Sequence, residues 1–149
     1  MHGNHCFGCG ADNDGGLRIK SYWLNDDQAI CRFNPASAHS AAADSILNGG
    51  IIATLIDCHS ICTAVAHAHR DAGREIGTAP NIWYATGALQ IKYLKPTALS
   101  GHVELIARVV EAGARKTVVY CELSGQGEHC VTAEVVAVRV PDSWLSSHA

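Results

Sequence analysis

The sequence predicts an α+β fold in which an antiparallel β-sheet wraps around one long central helix. Two patterns in the 149-residue chain support this prediction. One apolar segment, from about Gly49 to about His67, is long enough for a helix that is buried on most sides. Four later segments have the composition of strands and are joined by short turns, which favours antiparallel neighbours. One helix and one such sheet make a single domain with one core.

The residues before the helix predict an arm and a β-hairpin. The first sixteen residues are rich in Gly, Asn and Asp, as loops are. Two short alternating runs, Leu17–Leu24 and Ala29–Phe33, flank a turn of Asn and Asp residues, which indicates a hairpin. The segment 34–44 contains a proline and many small residues, so we expect an irregular connection there.

After the helix, a charged loop leads into the predicted sheet. This loop, His69–Asn81, contains two glycines and a proline. The four strands are predicted at Tyr84–Leu94, His102–Glu111, Lys116–Ser124 and His129–Val140. We divide the chain into an N-terminal arm (1–16), one domain (17–141) and a C-terminal tail (142–149).

Composition narrows the class of protein. The net charge of −3 gives no reason to expect nucleic-acid binding. The most apolar stretch, Ile46 to Ala66, contains Asn48, Asp57 and His59, which argue against a membrane span. The polar N-terminus lacks the apolar core of a signal peptide. Seven cysteines is an odd count without a disulfide pattern, so we expect free thiols in a reducing cytoplasm.

Asp57 is the most informative residue of the chain. Between Leu47 and Ala66 it is the only Asp, Glu, Lys or Arg. Because an ionised carboxylate is costly to bury alone, such a group is usually neutralised, paired or used. Asp57 is therefore a candidate general base on water, or a nucleophile toward an acyl carbon.

Gly49 and Gly50 open the predicted helix and predict an oxyanion site. Their backbone N–H groups lie where the helix dipole favours developing negative charge. Gly50 and Asp57, however, are about 10 Å apart along an α-helix, at roughly 1.5 Å per residue. Since one acyl carbon needs both groups within hydrogen-bonding reach, a single helix cannot supply both. This distance predicts a two-fold dimer with shared sites.

Other candidate site residues follow from the periodicity of the helix and strands. A stripe of small and polar residues on the helix is expected to line a cavity; it comprises Gly50, Ala53, Thr54, Asp57, Ser60 and Ile61. Thr86, near the start of a predicted strand, offers a hydroxyl to position Asp57 or a water. Strand alternation places Thr86 on the face opposite to Leu89, Ile91 and Tyr93.

Cys6 and Cys9 resemble half of a zinc site. A full site needs about four ligands, and the sequence has no second Cys-x-x-Cys pair. The sequence therefore predicts a structural arm with no metal and no cofactor.

The chain resembles the hotdog-fold acyl-CoA thioesterases of the phenylacetate-pathway (PaaI-like) and THEM type over roughly residues 6 to 140. The matching patterns are Cys6-Phe7-Gly8-Cys9-Gly10 followed by Gly16-Leu17, Gly49-Gly50-x4-Leu55-x-Asp57, and Thr86-x-x-Leu89-x-Ile91-x-Tyr93-x-x-Pro96. The resemblance implies a hotdog fold, assembled as dimers and often as dimers of dimers.

The resemblance also implies roles for individual residues. Asp57 would be the nucleophile or general base, the Gly50 N–H of the partner chain the oxyanion donor, and Thr86 the hydroxyl that holds the attacking water. The substrate-binding residues are predicted to be Gly49, Thr54, Ser60 and Ile61. The family usually has His before the glycine pair, whereas this chain has Asn48, which we count among the candidate catalytic residues. Asn cannot titrate but is a favoured N-cap.

The predicted function is hydrolysis of an acyl-CoA-type thioester. One alternative is a hotdog dehydratase or hydratase acting on hydroxyacyl or enoyl thioesters. That chemistry usually pairs a His with an acidic residue. His59 is close to Asp57 in sequence, but on a helix its side chain points in a different direction from that of Asp57. A second alternative, suggested by Asn48, is a non-catalytic acyl-thioester binding protein.

Overall fold

The computed structural model of the protein describes residues 4–141 and residue 143, so most of the predicted tail 142–149 lies outside the described residues. The α-helix and the strands are α1 (Gly49–Asp71), β1 (Ser21–Trp23), β2 (Ala29–Phe33), β3 (Tyr84–Tyr93), β4 (Val103–Ala112), β5 (Lys116–Gly125) and β6 (Glu128–Arg139). A short 3₁₀ helix, Ser37–His39, lies in the connection that was predicted to be irregular.

The strands form one antiparallel sheet in the order β1-β2-β4-β5-β6-β3. Helix α1 packs against all six strands. This arrangement is the hotdog fold, and it confirms the predicted α+β class with one long central helix.

The expectation that successive late strands are neighbours is wrong for β3 and β4. Strand β3 pairs with β6 at one edge of the sheet, and β5 and β6 separate it from β4. The connecting segment crosses the end of the sheet, where the Leu47 N–H donates to Thr97 and the Leu99 N–H donates to Ser45. Because these bonds satisfy its backbone, the segment needs no hairpin between β3 and β4.

Two predicted boundaries also shift. Strand β1 is shorter than predicted because residues just before it bond to the arm: the N–H groups of Leu17 and Ile19 donate to Phe7 and Gly8. Helix α1 continues to Asp71, beyond the predicted end, into what was predicted to be loop.

The core lies between α1 and the centre of the sheet. Leu55 and Ile56 on the helix are fully buried, as are Leu105, Val119 and Leu123 on β4 and β5. Truncating such a side chain to alanine typically costs about 2–5 kcal/mol. The packing therefore holds α1 firmly against the sheet, together with the side chains that α1 presents beside β3.

By length and composition alone, α1 is a helix that could cross a membrane. Half of its most apolar stretch is buried inside the protein.

Candidate active site

Asp57 lies on α1, partly exposed, in the wall of a cavity of about 600 Å³. The Thr86 hydroxyl on β3 donates a hydrogen bond of 2.5 Å to Asp57 Oδ1. Within residues 4–141, no Lys, Arg or His forms an ion pair with Asp57. The carboxylate thus has one hydroxyl partner, and it faces a space that a substrate can enter.

The cavity is walled by the arm, β1, α1 and the start of β3, largely with apolar side chains. Ile61 and Ala66 contribute from the helix, and Trp23 and Trp83 from the strand side. Such a lining suits an apolar acyl group, and Asp57 is the one carboxylate among the described residues that line the cavity.

A β-bulge at Gly87 brings Thr86 to Asp57. In the pairing of β3 with β6, Thr86 lies opposite Ala137 and Ala88 lies opposite Val136, so Gly87 is an extra residue. A Cβ at Gly87 would lie 2.6 Å from a methyl of Val138, which explains the glycine. Because of this extra residue, the side chains before Gly87 lie on the opposite face of the strand from the one that strict alternation predicts. The predicted opposition of faces is therefore wrong: the Thr86 and Tyr93 side chains both bond to α1.

Tyr93 is a residue near the predicted site that the sequence analysis did not single out. Its hydroxyl donates to the carbonyl of Gly49 at 2.8 Å, which ties the end of β3 to the start of α1. Tyr93 is 52% exposed. The spacing from Gly87 was the available signal, since a glycine inside a strand often marks a bulge.

Asn48 is the N-cap of α1, as expected for an Asn in that position. Its Oδ1 accepts hydrogen bonds from the N–H groups of Gly50, at 2.7 Å, and Ile51, at 3.3 Å. The Gly50 N–H, predicted as an oxyanion donor, is thus engaged by Asn48 within this chain. Gly50 itself is exposed and lies outside the residues that line the cavity.

The remaining predicted contacts lie in different places. Ile61 lines the cavity together with Asp57 and Thr86. Thr54 lies nearer the helix start and donates to the Gly50 carbonyl at 3.0 Å. Ser60 is fully buried and does not line the cavity. The structure therefore brings together Asp57, Thr86 and Ile61, and leaves Thr54 and Ser60 apart from them.

His59 is turned away from Asp57 into the core. Its Nε2 is 3.2 Å from the Ala29 carbonyl and its Nδ1 is 2.8 Å from the Ser21 hydroxyl. Since a carbonyl only accepts, Nε2 carries the proton and Nδ1 accepts from Ser21. Burial lowers the pKa of His59 from 6.5 to about 4. This imidazole is structural and does not pair with Asp57.

Four cysteines line the same cavity beside Asp57. Cys6 and Cys9 come from the arm, and Cys58 and Cys62 come from α1, one helical turn apart. The Sγ atoms of Cys6, Cys9 and Cys58 all lie within 4.8 Å of one another. The expectation of no metal stays a prediction. Counting Cys-x-x-Cys pairs did not reveal that α1 brings Cys58 beside the two cysteines of the arm.

Comparison with known proteins adds the family. The model of the thioesterase superfamily matches residues 44–132. A crystal structure of a thioesterase superfamily protein from Shewanella loihica PV-4 is 37% identical with a TM-score of 0.66, and the match covers 83% of this chain and 91% of that one. No curated protein matches the chain.

Two more distant structures share the fold. A thioesterase from Haemophilus influenzae is 13% identical with a TM-score of 0.71, over 89% of this chain and 85% of that one. The E. coli PaaI protein of the phenylacetic acid degradation operon is 14% identical with a TM-score of 0.67, over 84% and 81%.

The chain belongs to the thioesterase superfamily. Its hotdog fold and its family together define it as a thioester hydrolase.

Proposed function

We propose that the protein hydrolyses an acyl-CoA-type thioester, with Asp57 as nucleophile or general base. The observation that supports this most is the lone Asp57 carboxylate, hydrogen-bonded to Thr86 in the wall of an apolar cavity. The acyl group would occupy the cavity, and the bulky thiol portion would extend over the protein surface.

Two routes are compatible with this geometry. In the first, Asp57 takes a proton from water as the water oxygen attacks the thioester carbon. In the second, Asp57 attacks the carbon and forms an anhydride, which water then cleaves. In both, the C–S bond breaks and the thiolate leaves and gains a proton. The Thr86 hydroxyl holds the carboxylate in place or, after exchanging partners, holds the water.

The oxyanion would be stabilised by the Gly50 N–H at the start of a helix. Because Asn48 Oδ1 accepts from that N–H, its side chain must turn aside or share the donor when substrate binds. Losing an N-cap bond costs about 1 kcal/mol, which an oxyanion bond can offset. The exposed position of Gly50 leaves room for this exchange.

We propose that Gly50 and Asp57 act on one substrate from different chains. Both lie on α1, seven residues apart, so within one chain they cannot reach the same carbon. Strand β3 is an edge strand of ten residues with mostly exposed side chains, which suits pairing with a second copy.

Antiparallel pairing of β3 with its own copy would produce this shared site. The start of one β3 would then lie beside the end of the other. Thr86 at the start of β3 holds Asp57, and Tyr93 at its end holds Gly49. This pairing would therefore set Asp57 of one chain against the glycine pair of its partner. A homodimer, alone or within a dimer of dimers, would contain two such sites.

The cell compartment that we propose is the cytoplasm. All seven cysteines are free thiols, which supports a reducing environment. We propose no nucleic-acid or membrane partner, and the acidic net charge agrees with this.

Thioester turnover followed with a thiol-trapping dye, on a panel of acyl-CoA substrates, tests the proposal. We expect thiol release by the wild type and a loss of at least about 100-fold in Asp57→Asn. The matched control is Asp71→Asn, which removes an exposed carboxylate at the other end of the same helix and should keep full activity.

The same assay separates the alternatives. A dehydratase or hydratase would change the acyl group without releasing thiol, and a binding protein would do neither. An Asp57→Asn variant that keeps wild-type turnover would show that Asp57 has no catalytic role.

A further inference from the structure

Two pairs of cysteines from distant parts of the chain converge beside the cavity. Cys6 and Cys9 lie in the arm with two residues between them, and Cys58 and Cys62 lie on one face of α1. We propose that these four thiols bind one Zn²⁺ ion, which fastens the arm to α1 next to Asp57. This proposal is independent of the thioesterase mechanism.

The distances between the sulfur atoms fit a tetrahedral ion. Cys6 Sγ and Cys58 Sγ are 3.6 Å apart, and these two and Cys9 Sγ lie within 4.8 Å of one another. In a tetrahedral site with Zn–S bonds of about 2.3 Å, the sulfur atoms are about 3.8 Å apart. Small rotations of the three side chains would therefore create three of the four bonds.

Cys62 provides the fourth ligand. It follows Cys58 by one helical turn and lines the same cavity, outside the group of three sulfur atoms that lie within 4.8 Å of one another. A change of side-chain rotamer would turn its sulfur toward the other three. The ligand set then becomes Cys₄, which is typical of structural zinc sites.

The arm has the backbone shape that such a site needs. The Gly10 N–H donates to the Cys6 carbonyl at 2.8 Å, which folds the Cys-x-x-Cys segment into a tight turn. A Cβ at Gly8 would lie 2.2 Å from Cys58 Sγ, and a Cβ at Gly10 would lie 2.4 Å from the Cys6 carbonyl oxygen. Gly8 therefore allows the turn to sit directly on the helix cysteine, and Gly10 allows the turn itself to close.

The arm also supplies a polar side chain that points at the cluster. The Asn4 side-chain amide donates toward Cys9 Sγ at 3.7 Å. Outer-shell donors of this kind orient metal ligands. Cys6 is exposed and provides a route by which the ion can enter.

Binding would release protons and link two distant segments. Each cysteine that bonds to Zn²⁺ gives up its thiol proton to solvent, so affinity should rise with pH. The ion would join residues of the arm to α1 across about fifty positions of sequence, and would close one wall of the cavity.

The test uses the full chain, purified under reducing conditions, stripped with a chelator and titrated with Zn²⁺ and, separately, Co²⁺. We expect one zinc per chain by elemental analysis, and the charge-transfer and d–d absorption bands of tetrahedral cobalt bound by thiolates. In Cys6→Ala and Cys9→Ala, affinity should fall by at least about 100-fold, since outer-shell changes alone cost up to about that much.

The matched control is Cys130→Ala, because this cysteine is free and lies in β6, outside the cluster. It should bind zinc like the wild type. In Cys62→Ala, the cobalt spectrum should lose charge-transfer intensity; an unchanged spectrum would overturn the assignment of the fourth ligand. Circular dichroism identifies variants that fail to fold.

Three results would overturn the zinc site itself. They are zinc binding by the wild type no stronger than by Cys6→Ala, iron in place of zinc in the purified protein, and a Cys6–Cys58 disulfide in protein isolated anaerobically. None of these readouts requires thioesterase activity, so failure here leaves the proposed hydrolysis open to its own test.

Discussion

Two inactive variants should restore each other's activity if the site is shared between chains. The variants are Asp57→Asn, which lacks the base, and Gly50→Pro, which lacks the donor N–H. Gly50 lies in the first turn of α1, where its N–H bonds only to the Asn48 side chain. Proline therefore removes one cap bond, worth about 1 kcal/mol, and no bond of the helical ladder.

The size of the effect follows from the two-fold arrangement. Each homodimer should lose at least about 100-fold in turnover, since it lacks the base or an oxyanion donor in both sites. In a mixed dimer, one site contains both substitutions and the other site contains neither. The activity of the mixed dimer should therefore be about half that of the wild-type dimer. Random pairing of equal amounts makes about half of the dimers mixed, which predicts about a quarter of wild-type activity.

The assay mixes the two purified variants in urea, refolds them together and measures thiol release. Native mass spectrometry measures the fraction of mixed dimers, and circular dichroism verifies that Gly50→Pro folds. The control pair is Asp57→Asn with Thr86→Val. Because Thr86 bonds to Asp57 of its own chain, each site of that mixed dimer carries one lesion, and activity should stay low.

Two results would refute the shared site. Verified mixed dimers of Asp57→Asn and Gly50→Pro that stay inactive would mean that each site is built within one chain. Recovery in the control pair would mean that Thr86 does not serve the Asp57 of its own chain.

Other predictions concern Thr86 and Asn48. Thr86→Val should lower kcat by about 10–100-fold, because a hydrogen bond to a charged group is worth about 1.5–3 kcal/mol. Thr86→Ser keeps the hydroxyl and should keep most activity. Steady-state kinetics on both variants checks this. Asn48→Ala should lower the free energy of unfolding by about 1 kcal/mol, measured by urea denaturation, because two N–H groups lose their acceptor. Asn48→His should retain or raise thiol release, and a large loss in Asn48→Ala at unchanged stability would show that the amide takes part in chemistry.

The helix and its beginning could be predicted because their signals are local. An apolar run with an Asn before two glycines defines both a buried helix and its cap, and α1 begins where that pattern places it. The same run made Asp57 conspicuous as an isolated charge. Neither inference required knowledge of which strands pack on the helix.

The position of β3 could not be predicted because it depends on long-range pairing. The short connection to β4 suggested a hairpin, but the sheet places β3 at the far edge, beside β6. The bulge at Gly87 depends in turn on that pairing, since the extra residue exists only relative to β6. Strict alternation therefore placed Thr86 on the wrong face, although its contact with Asp57 had been anticipated as a possible role.

The cysteine cluster also could not be predicted, because it depends on contacts between distant segments of the chain. A search for two Cys-x-x-Cys pairs detects sites built from two turns, whereas a helix presents neighbouring ligands at a spacing of four. Cys58 and Cys62 satisfy that helical spacing, but adjacent thiols on a buried helix are ordinarily core residues. Only the arm, folded back over α1 by its bonds to Leu17 and Ile19, brings Cys6 and Cys9 close enough to Cys58 to form a candidate metal site. A zinc ion at this point would hold the arm as a wall of the cavity, directly beside the carboxylate on which hydrolysis is proposed to depend.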